Sequence, residues 1–190
     1  MRIATERLLL RATNPQFAEA VAEYLVRNRE AHREWNPPMP DRLFTQEGQH
    51  ERLVAAAESE TDGSQVGWFL SLKGDEKVIG HIRFSQIVRG PFCNAMLGYS
   101  IDSGLEGRGL MREALEAALS DVFSPRVMLH RVQANVRPEN TRSLGLLDRL
   151  GFVREGYARN YLFIGGAWRD HVMTARINPA WRASREPSCS

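Results

Sequence analysis

From Leu97 to Leu115 the chain runs LGYSIDSGLEGRGLMREAL, an apolar strand pattern that enters a glycine-bearing turn and leaves it as an amphipathic helix, with no spacer. Gly107 and Gly109 let the turn fold closely, and the first amides of the following helix, which lack intrahelical partners, point into it. Those donors, the positive end of the helix dipole and the permanent charge of Arg108 make a cradle for an anion. A nucleotide pyrophosphate suits such a cradle. The Walker loop of ATP and GTP sites is excluded, because Gly109 is followed by Leu110 and Met111 rather than by Lys and Ser or Thr. A dinucleotide fold is disfavoured as well, since its glycine turn follows the first strand, whereas this turn lies past the middle of the chain.

The next strand pattern ends in a polar turn, HRVQANVRPENTRS over residues 130–143, followed by a short amphipathic helix from Leu144 to Leu150 and by Gly151-Phe152. Strand, phosphate turn, helix, strand, Asn-x-x-Ser, helix and Gly-Phe in that order resemble the GNAT acetyltransferases, which hold acetyl-coenzyme A (acetyl-CoA) in this way. The likeness extends to Thr5-Glu-Arg-Leu-Leu-Leu-Arg11, Trp35-Asn-Pro-Pro38, Val88-Arg-Gly90, Leu97-Gly-Tyr-Ser-Ile101, Gly107-Arg-Gly-Leu-Met111, Leu150-Gly-Phe152, Glu155-Gly-Tyr157 and Trp168-Arg-Asp-His171. These motifs, in order over nearly the whole chain, look like the RimJ/RimL branch, the ribosomal-protein alanine N-acetyltransferases, and the RimJ group most of all. The resemblance implies an α/β (α+β) fold: a mixed, mostly antiparallel sheet of about seven strands, flanked by about four helices and splayed between the fourth and fifth strands.

Length and composition agree with one such domain. At 190 residues the chain suffices for one well-buried core and is short for two. We assign 1–177 to a single acetyltransferase domain and 178–190, with Pro179, Ser184, Pro187, Ser188 and Ser190, to a loosely held tail. Hydrophobic content of 43% and charged content of 25% are ordinary for a soluble globular protein, and no apolar run is long enough to cross a bilayer. Leu8-Leu9-Leu10 is too short for a signal-peptide core, so a cytoplasmic location is expected, with no membrane partner. Cys93 and Cys189 provide neither a disulfide framework nor metal-ligand spacing, and His32, His50, His81, His130 and His171 are scattered, each expected to be structural or exposed. No metal is expected. The segment from Asn14 to Ser64 carries ten acids against five arginines, a net −5 that leaves +7 elsewhere. The positive remainder suits a cofactor with several phosphates; the negative segment would attract a cationic peptide or is a solvated face. No direct nucleic-acid binding is expected, and the oligomeric state is not readable.

Along the chain, Ile3 to Ala12 reads as one strand. Asn14-Pro15 reads as the cap and first residue of a helix to about Asn28. Three prolines between Trp35 and Pro40 impose a loop before a helix from about Thr45 to Ser59. Gln65–Lys73 and Val78–Val88 read as strands of a hairpin across Gly74-Asp75-Glu76, followed by a strand over Asn94–Ile101. Met111, Leu115, Ala118, Leu119 and Val122 share one face of the helix that ends at Ser124-Pro125. Phe152–Arg154, Tyr157–Phe163 and Ala167–Ile177 supply the last strands.

For the site, the resemblance assigns acetyl-CoA to the backbone of Tyr99, Ser100 and Ile101, to the turn Glu106, Gly107, Arg108, Gly109, Leu110 and Met111, and to Asn140 and Ser143. In the family the turn usually starts with Gln or Arg, so Glu106 is a departure; backbone amides, which every residue supplies, carry most of the binding. The resemblance places Ser143 near the thioester sulfur, where its hydroxyl can protonate a leaving thiolate whose parent thiol has a pKa near ~8.5. Asn140 capping a helix with Ser143 in its first turn is the plain structural alternative. Leu162 stands where some RimL-like enzymes carry Glu, so no base is carried over. An N-terminal amine, with a pKa of about 7.7–8.0, needs little help, whereas a lysine at about 10.4 would be neutral only about once in 800. That favours an α-amine as acceptor, and the resemblance implies that it belongs to the N-terminus, with alanine first, of a ribosomal protein. Trp35 and Asn36 lie where the fold places its acceptor groove, and Asp170 either orients the amine or ties down a turn. A small-molecule amine acetyltransferase, or a non-catalytic acyl-CoA-binding protein on the ribosome, stand as alternatives.

Overall fold

In the computed structural model, which describes residues 1–181, every strand pattern joins one eight-stranded sheet. The strands are β1 (Arg2–Ala4), β2 (Leu8–Ala12), β3 (Val66–Leu72), β4 (Gly80–Val88), β5 (Asn94–Ile101), β6 (Arg131–Val136), β7 (Val153–Ile164) and β8 (Ala167–Ile177), in the spatial order β1-β2-β3-β4-β5-β6-β8-β7. All neighbours are antiparallel except β5 and β6. The helices are α1 (Ala18–Arg27), α2 (Arg29–Arg33), α3 (Gln46–Thr61), α4 (Leu110–Phe123) and α5 (Thr141–Arg149).

Strand β3 shows how the layers form. Its period of two sends Trp68 and Leu70 to one face, into a core built with α4 and α5. Phe69 points the other way, among Val21, Tyr24 and Leu25 of α1 and Leu53 of α3. The sheet is therefore sandwiched between helices. On α4, Met111, Leu115, Ala118, Leu119 and Val122 are buried, as their spacing predicts, and Ala114 joins them.

The single class of fold expected is the one observed, with corrections in its parts. Ile3 to Ala12 is not one strand: the chain reverses at Thr5, whose amide and hydroxyl both bond Leu8, and β1 pairs back on β2 from Arg2↔Arg11 to Ala4↔Leu9. The extra strand makes the sheet eight-stranded instead of about seven and renumbers the strands flanking the splay as the fifth and sixth, though they are the ones expected, Asn94–Ile101 and the strand after His130. Two expected strands, Phe152–Arg154 and Tyr157–Phe163, are one strand, β7, with irregular register where Asn160 takes a φ of 48°. The expected helix from Asn14 begins as a 3-10 turn over Pro15–Phe17, with the Asn14 side chain accepting from the Gln16 amide. It breaks at Asn28, whose buried side chain donates to the Tyr24 carbonyl and accepts from the Ser103 amide, which leaves α2 as a fifth helix.

The parallel pairing of β5 with β6 lasts only from Asn94↔Arg131 to Met96↔Gln133. Beyond it β5 stays with β4 as far as Gly80↔Ile101, and β6 stays with β8 as far as Val136↔Val172. The strands part like a wedge, and the edge of β5 from Leu97 to Ile101 faces the gap. At the chain's far end Asn178 is buried and donates to the carbonyls of Phe123 and Leu129, and the Trp181 ring meets His130 at 5.1 Å. The rest of the expected tail, with Cys189, lies outside the described residues.

Candidate active site

The wedge between β5 and β6 opens into a crevice of about 370 Å3. Tyr99, Ser100 and Ile101 line it from β5, Glu106 to Met111 from the turn, and Asn140 and Ser143 from the start of α5. Trp35 and Asn36 close one side. Three segments far apart in sequence thus meet as expected around one cavity.

Local conformation explains why the turn has this sequence. Gly107 and Gly109 take φ values of 75° and 76°, in the left-handed region that glycine enters without steric cost. A Cβ would meet nothing within 4 Å at Gly107, so torsion and not space requires the glycine. Gly109 is the N-cap of α4 and supplies no side-chain cap, whereas Thr45 caps α3 and Asn140 caps α5 through the Ser143 amide at 3.0 Å. The opening amides of α4 are left available to a ligand in the crevice. Behind the turn, Glu113 accepts from the Thr5 hydroxyl at 2.5 Å and from the Arg7 amide and Nε at 2.7 Å each, and Arg7 Nη1 donates to the Arg108 carbonyl at 3.0 Å. Burial pushes the Glu113 carboxyl up, but these donors outweigh it and hold it below the usual carboxylate range. An acid in the first turn of α4 is thereby turned away from the cradle and neutralised.

Glu106 is handled in the same way. Its carboxylate pairs with Arg142, from the first turn of α5, across the mouth of the crevice. Arg108, Arg112, Arg142 and Arg149 all line the cavity against that one acid, so its field is positive.

Deeper in, the Tyr99 hydroxyl and Ser143 Oγ lie 2.6 Å apart. Burial drives the Tyr99 phenol up to about 12, with the Ser143 hydrogen bond pulling back, so it stays protonated at neutral pH. Alongside, Ser100 Oγ bonds both the Tyr24 hydroxyl at 2.7 Å and His81 Nδ1 at 3.0 Å. Burial, reinforced by Arg52 and Arg83, lowers His81 to about 3, which makes it a neutral anchor for β5.

A second cavity of about 300 Å3 abuts the first; His32 and Asn36 line both. Leu25, Met39, Phe44, Pro37 and Pro38 supply its apolar wall. Arg137, nearly buried, fixes the neighbouring loop by donating to the Glu34 carbonyl at 2.6 Å with its guanidinium 5.3 Å from the centre of the Trp35 ring. Asp170 is placed elsewhere: its carboxylate accepts from the Tyr157 hydroxyl and the Asn160 amide, both at 2.8 Å, on the β7–β8 hairpin, and it lines neither cavity.

Residues 7–153 match the family described as "Acetyltransferase (GNAT) domain". The chain belongs to the GNAT acetyltransferase family. It is similar to the [ribosomal protein uS5]-alanine N-acetyltransferase of Escherichia coli (strain K12), with 40% identity over 97% of this chain and 95% of that protein. Among solved structures it is similar to the ribosomal-protein-S5-alanine acetyltransferase of Vibrio fischeri, at a TM-score of 0.91 and 35% identity over 96% of this chain and 99% of that one. It also resembles Mycobacterium smegmatis RimJ, solved in complex with CoA-disulfide, at a TM-score of 0.86 and 26% identity over 93% and 86% of the two chains. This GNAT protein is an acetyl-CoA-dependent N-acetyltransferase. Its residues fit the cofactor: an uncapped helix N-terminus, two left-handed glycines, a stretch of β5 that β6 leaves unpaired and four arginines suit a diphosphate on an amide-bearing arm. Among the described residues no helix is long and apolar enough to cross a membrane.

Sequence reasoning missed several contributors. Arg142 sits inside the Asn-x-x-Ser motif and was legible only as a loop charge. Tyr99 was assigned through its backbone, yet its side chain reaches Ser143. His32, Arg137 and Arg149 carried no local signal.

Proposed function

We propose that this enzyme acetylates the N-terminal α-amine of a ribosomal protein, with alanine as the terminal residue. The observation that carries this reading is the pair of abutting cavities. One has the chemistry of a thioester carrier's site, and the other is a partly apolar, open groove of a size for a peptide end. The names of two of the relatives, the ribosomal-protein alanine acetyltransferases of Escherichia coli and Vibrio fischeri, support the same acceptor class.

Bound acetyl-CoA supplies an acetyl group activated as a thioester. The protein's part is to place and to move protons. We assign the diphosphate to the backbone from Glu106 to Met111 and the carrier's arm to Tyr99, Ser100, Ile101 and Asn140. Ser143 Oγ gives its proton to the departing sulfur as it takes one from the Tyr99 hydroxyl, and water in the open crevice returns a proton to Tyr99. Asn36 walls the acceptor groove, and Trp35 walls the crevice where it meets that groove. Asp170 acts on the amine only by ordering the β7–β8 hairpin. The catalytic domain assigned to residues 1–177 is extended by Asn178 and Trp181, which pack onto it, and the enzyme is assigned to the cytoplasm.

The test is incubation with acetyl-CoA and a ribosomal-protein pool, read by intact mass and free-thiol release. Acetylation confined to one or a few N-termini is expected. Turnover on small amines but on no peptide or protein would overturn the acceptor assignment.

A further inference from the structure

We propose that His32 is the base that takes the proton from the acceptor's ammonium group. The proposal rests on the acceptor site assigned above and adds the one group that assignment lacks.

Three features of the structure converge on this residue. The first is position. His32 and Asn36 are the residues that line both cavities, so His32 stands where an amine in the groove approaches an acyl group in the crevice. Its backbone is fixed there: the His32 amide donates to the Asn28 carbonyl at 2.9 Å, and the His32 carbonyl accepts from the amides of Trp35 and Asn36.

The second is tautomer. His32 Nε2 lies 3.0 Å from the Ile101 carbonyl oxygen. A carbonyl only accepts, so Nε2 carries the hydrogen, and in the neutral ring the lone pair resides on Nδ1. Among the described residues no protein group is bonded to Nδ1. The hydrogen bond to β5 thus orients the ring and presents a basic nitrogen at once, as the orienting partner of a catalytic histidine must.

The third is charge state. Burial lowers the affinity of the ring for a proton below its ordinary value, with the Ile101 carbonyl and Asp102 pulling the other way. The surrounding groups do not reverse this. Asp102 is held by Arg27 at 2.6 Å and by the Gly104 amide; the Tyr24 phenol, 6.0 Å away ring to ring, is held protonated by burial; His81 is neutral. On its own helix, Arg29 is bonded to Asp41 and Arg33 is paired with Glu30. The ring is neutral near pH 7 and ready to accept.

The step balances simply. An N–H bond of the ammonium breaks, its electron pair remains on nitrogen as the attacking lone pair, and the proton forms a bond to Nδ1. The imidazolium then returns the proton to water through the open groove.

His32→Gln tests this, because the glutamine amide can still donate to the Ile101 carbonyl but offers no base. With a peptide bearing N-terminal alanine, kcat/KM of the variant is expected to fall about tenfold or more at pH 7. The gap is expected to close to within about twofold at pH 9, where an α-amine of pKa about 7.7–8.0 is already neutral. CoA affinity by calorimetry should not change. Independently of turnover, long-range 1H–15N NMR of the free protein should show His32 as the neutral Nε2–H tautomer at pH 7, its ring signals assigned through the backbone of the wild-type protein. Equal rates at pH 7, a deficit independent of pH, or an Nδ1–H tautomer would overturn the proposal. If the variant does not fold, the tautomer in the wild-type protein decides. If the wild type acetylates only small amines, the peptide reading fails, while the comparison made below and above that amine's own pKa still judges His32.

Discussion

The pairing of Ser143 with Tyr99 makes a prediction in which stability and catalysis move separately. Ser143→Ala removes the partner, 2.6 Å away, of a deeply buried phenol. Stranding a buried donor costs about 1–3 kcal/mol. The crevice beside it admits water, which places the expected loss near the lower end, about 1–1.5 kcal/mol, or a fall in Tm of about 2–5 °C for a chain of this size. Tyr99→Phe leaves only a small hydroxyl at the cavity wall, with an expected cost below about 1 kcal/mol. In the double variant neither group is stranded, so stability should return toward wild type, with a coupling of about 1 kcal/mol. Rate should not follow. A leaving thiol with a pKa of about 8.5 needs modest assistance, so Ser143→Ala is expected to lower kcat about 10–100-fold with the KM for acetyl-CoA nearly unchanged, and the double variant should be no faster. Urea melts with steady-state kinetics on the four proteins measure both. If kcat recovers along with stability in the double variant, or never falls, Ser143 is a structural residue and its catalytic assignment is wrong.

The phosphate turn offers three further checks. Gly109→Ala has room for its Cβ, the nearest atom being Arg7 Nη2 at 3.5 Å, but must hold a φ of 76°; a loss of about 1–2 kcal/mol in stability and a several-fold weaker CoA Kd by calorimetry are expected. Arg7→Ala frees Glu113 to face the cradle and loosens the Arg108 carbonyl, so the KM for acetyl-CoA should rise about 3–10-fold at unchanged kcat; a fall in kcat alone would place Arg7 elsewhere. Glu113 and Asp102 titrate below the usual carboxylate range when folded, so their stabilisation is complete above the unfolded values near pH 4 and is lost as pH falls through the folded ones. Urea midpoints should therefore drop below about pH 4, and Glu113→Gln should flatten that slope.

What could be read from the chain and what could not divides along the range of the interactions involved. The strand Asn94–Ile101 is written in its local apolar residues and the buried face of α4 in local periodicity. The turn at Gly107–Gly109 and the cap at Asn140 are written in residues whose backbone preferences act within three positions, so the crevice they frame was legible before any fold was known. The hairpin of β1 and β2 was not, because its turn contains neither glycine nor proline; the Thr5 side chain closes it and is in turn held by Glu113, 108 positions away. Charge was the least legible property. Glu106 looked like a defect in a phosphate site, and its remedy, Arg142, lies 36 residues downstream. His32 looked like a scattered histidine because its orienting acceptor, the Ile101 carbonyl, belongs to every residue type and leaves no mark in sequence. Backbone amides can be placed by local rules, but the protonation state of a side chain is set by whatever the fold brings beside it. For this enzyme the anion cradle follows from a nineteen-residue stretch. The groups proposed for proton transfer come together only when α2, β5 and α5 are packed around the same gap.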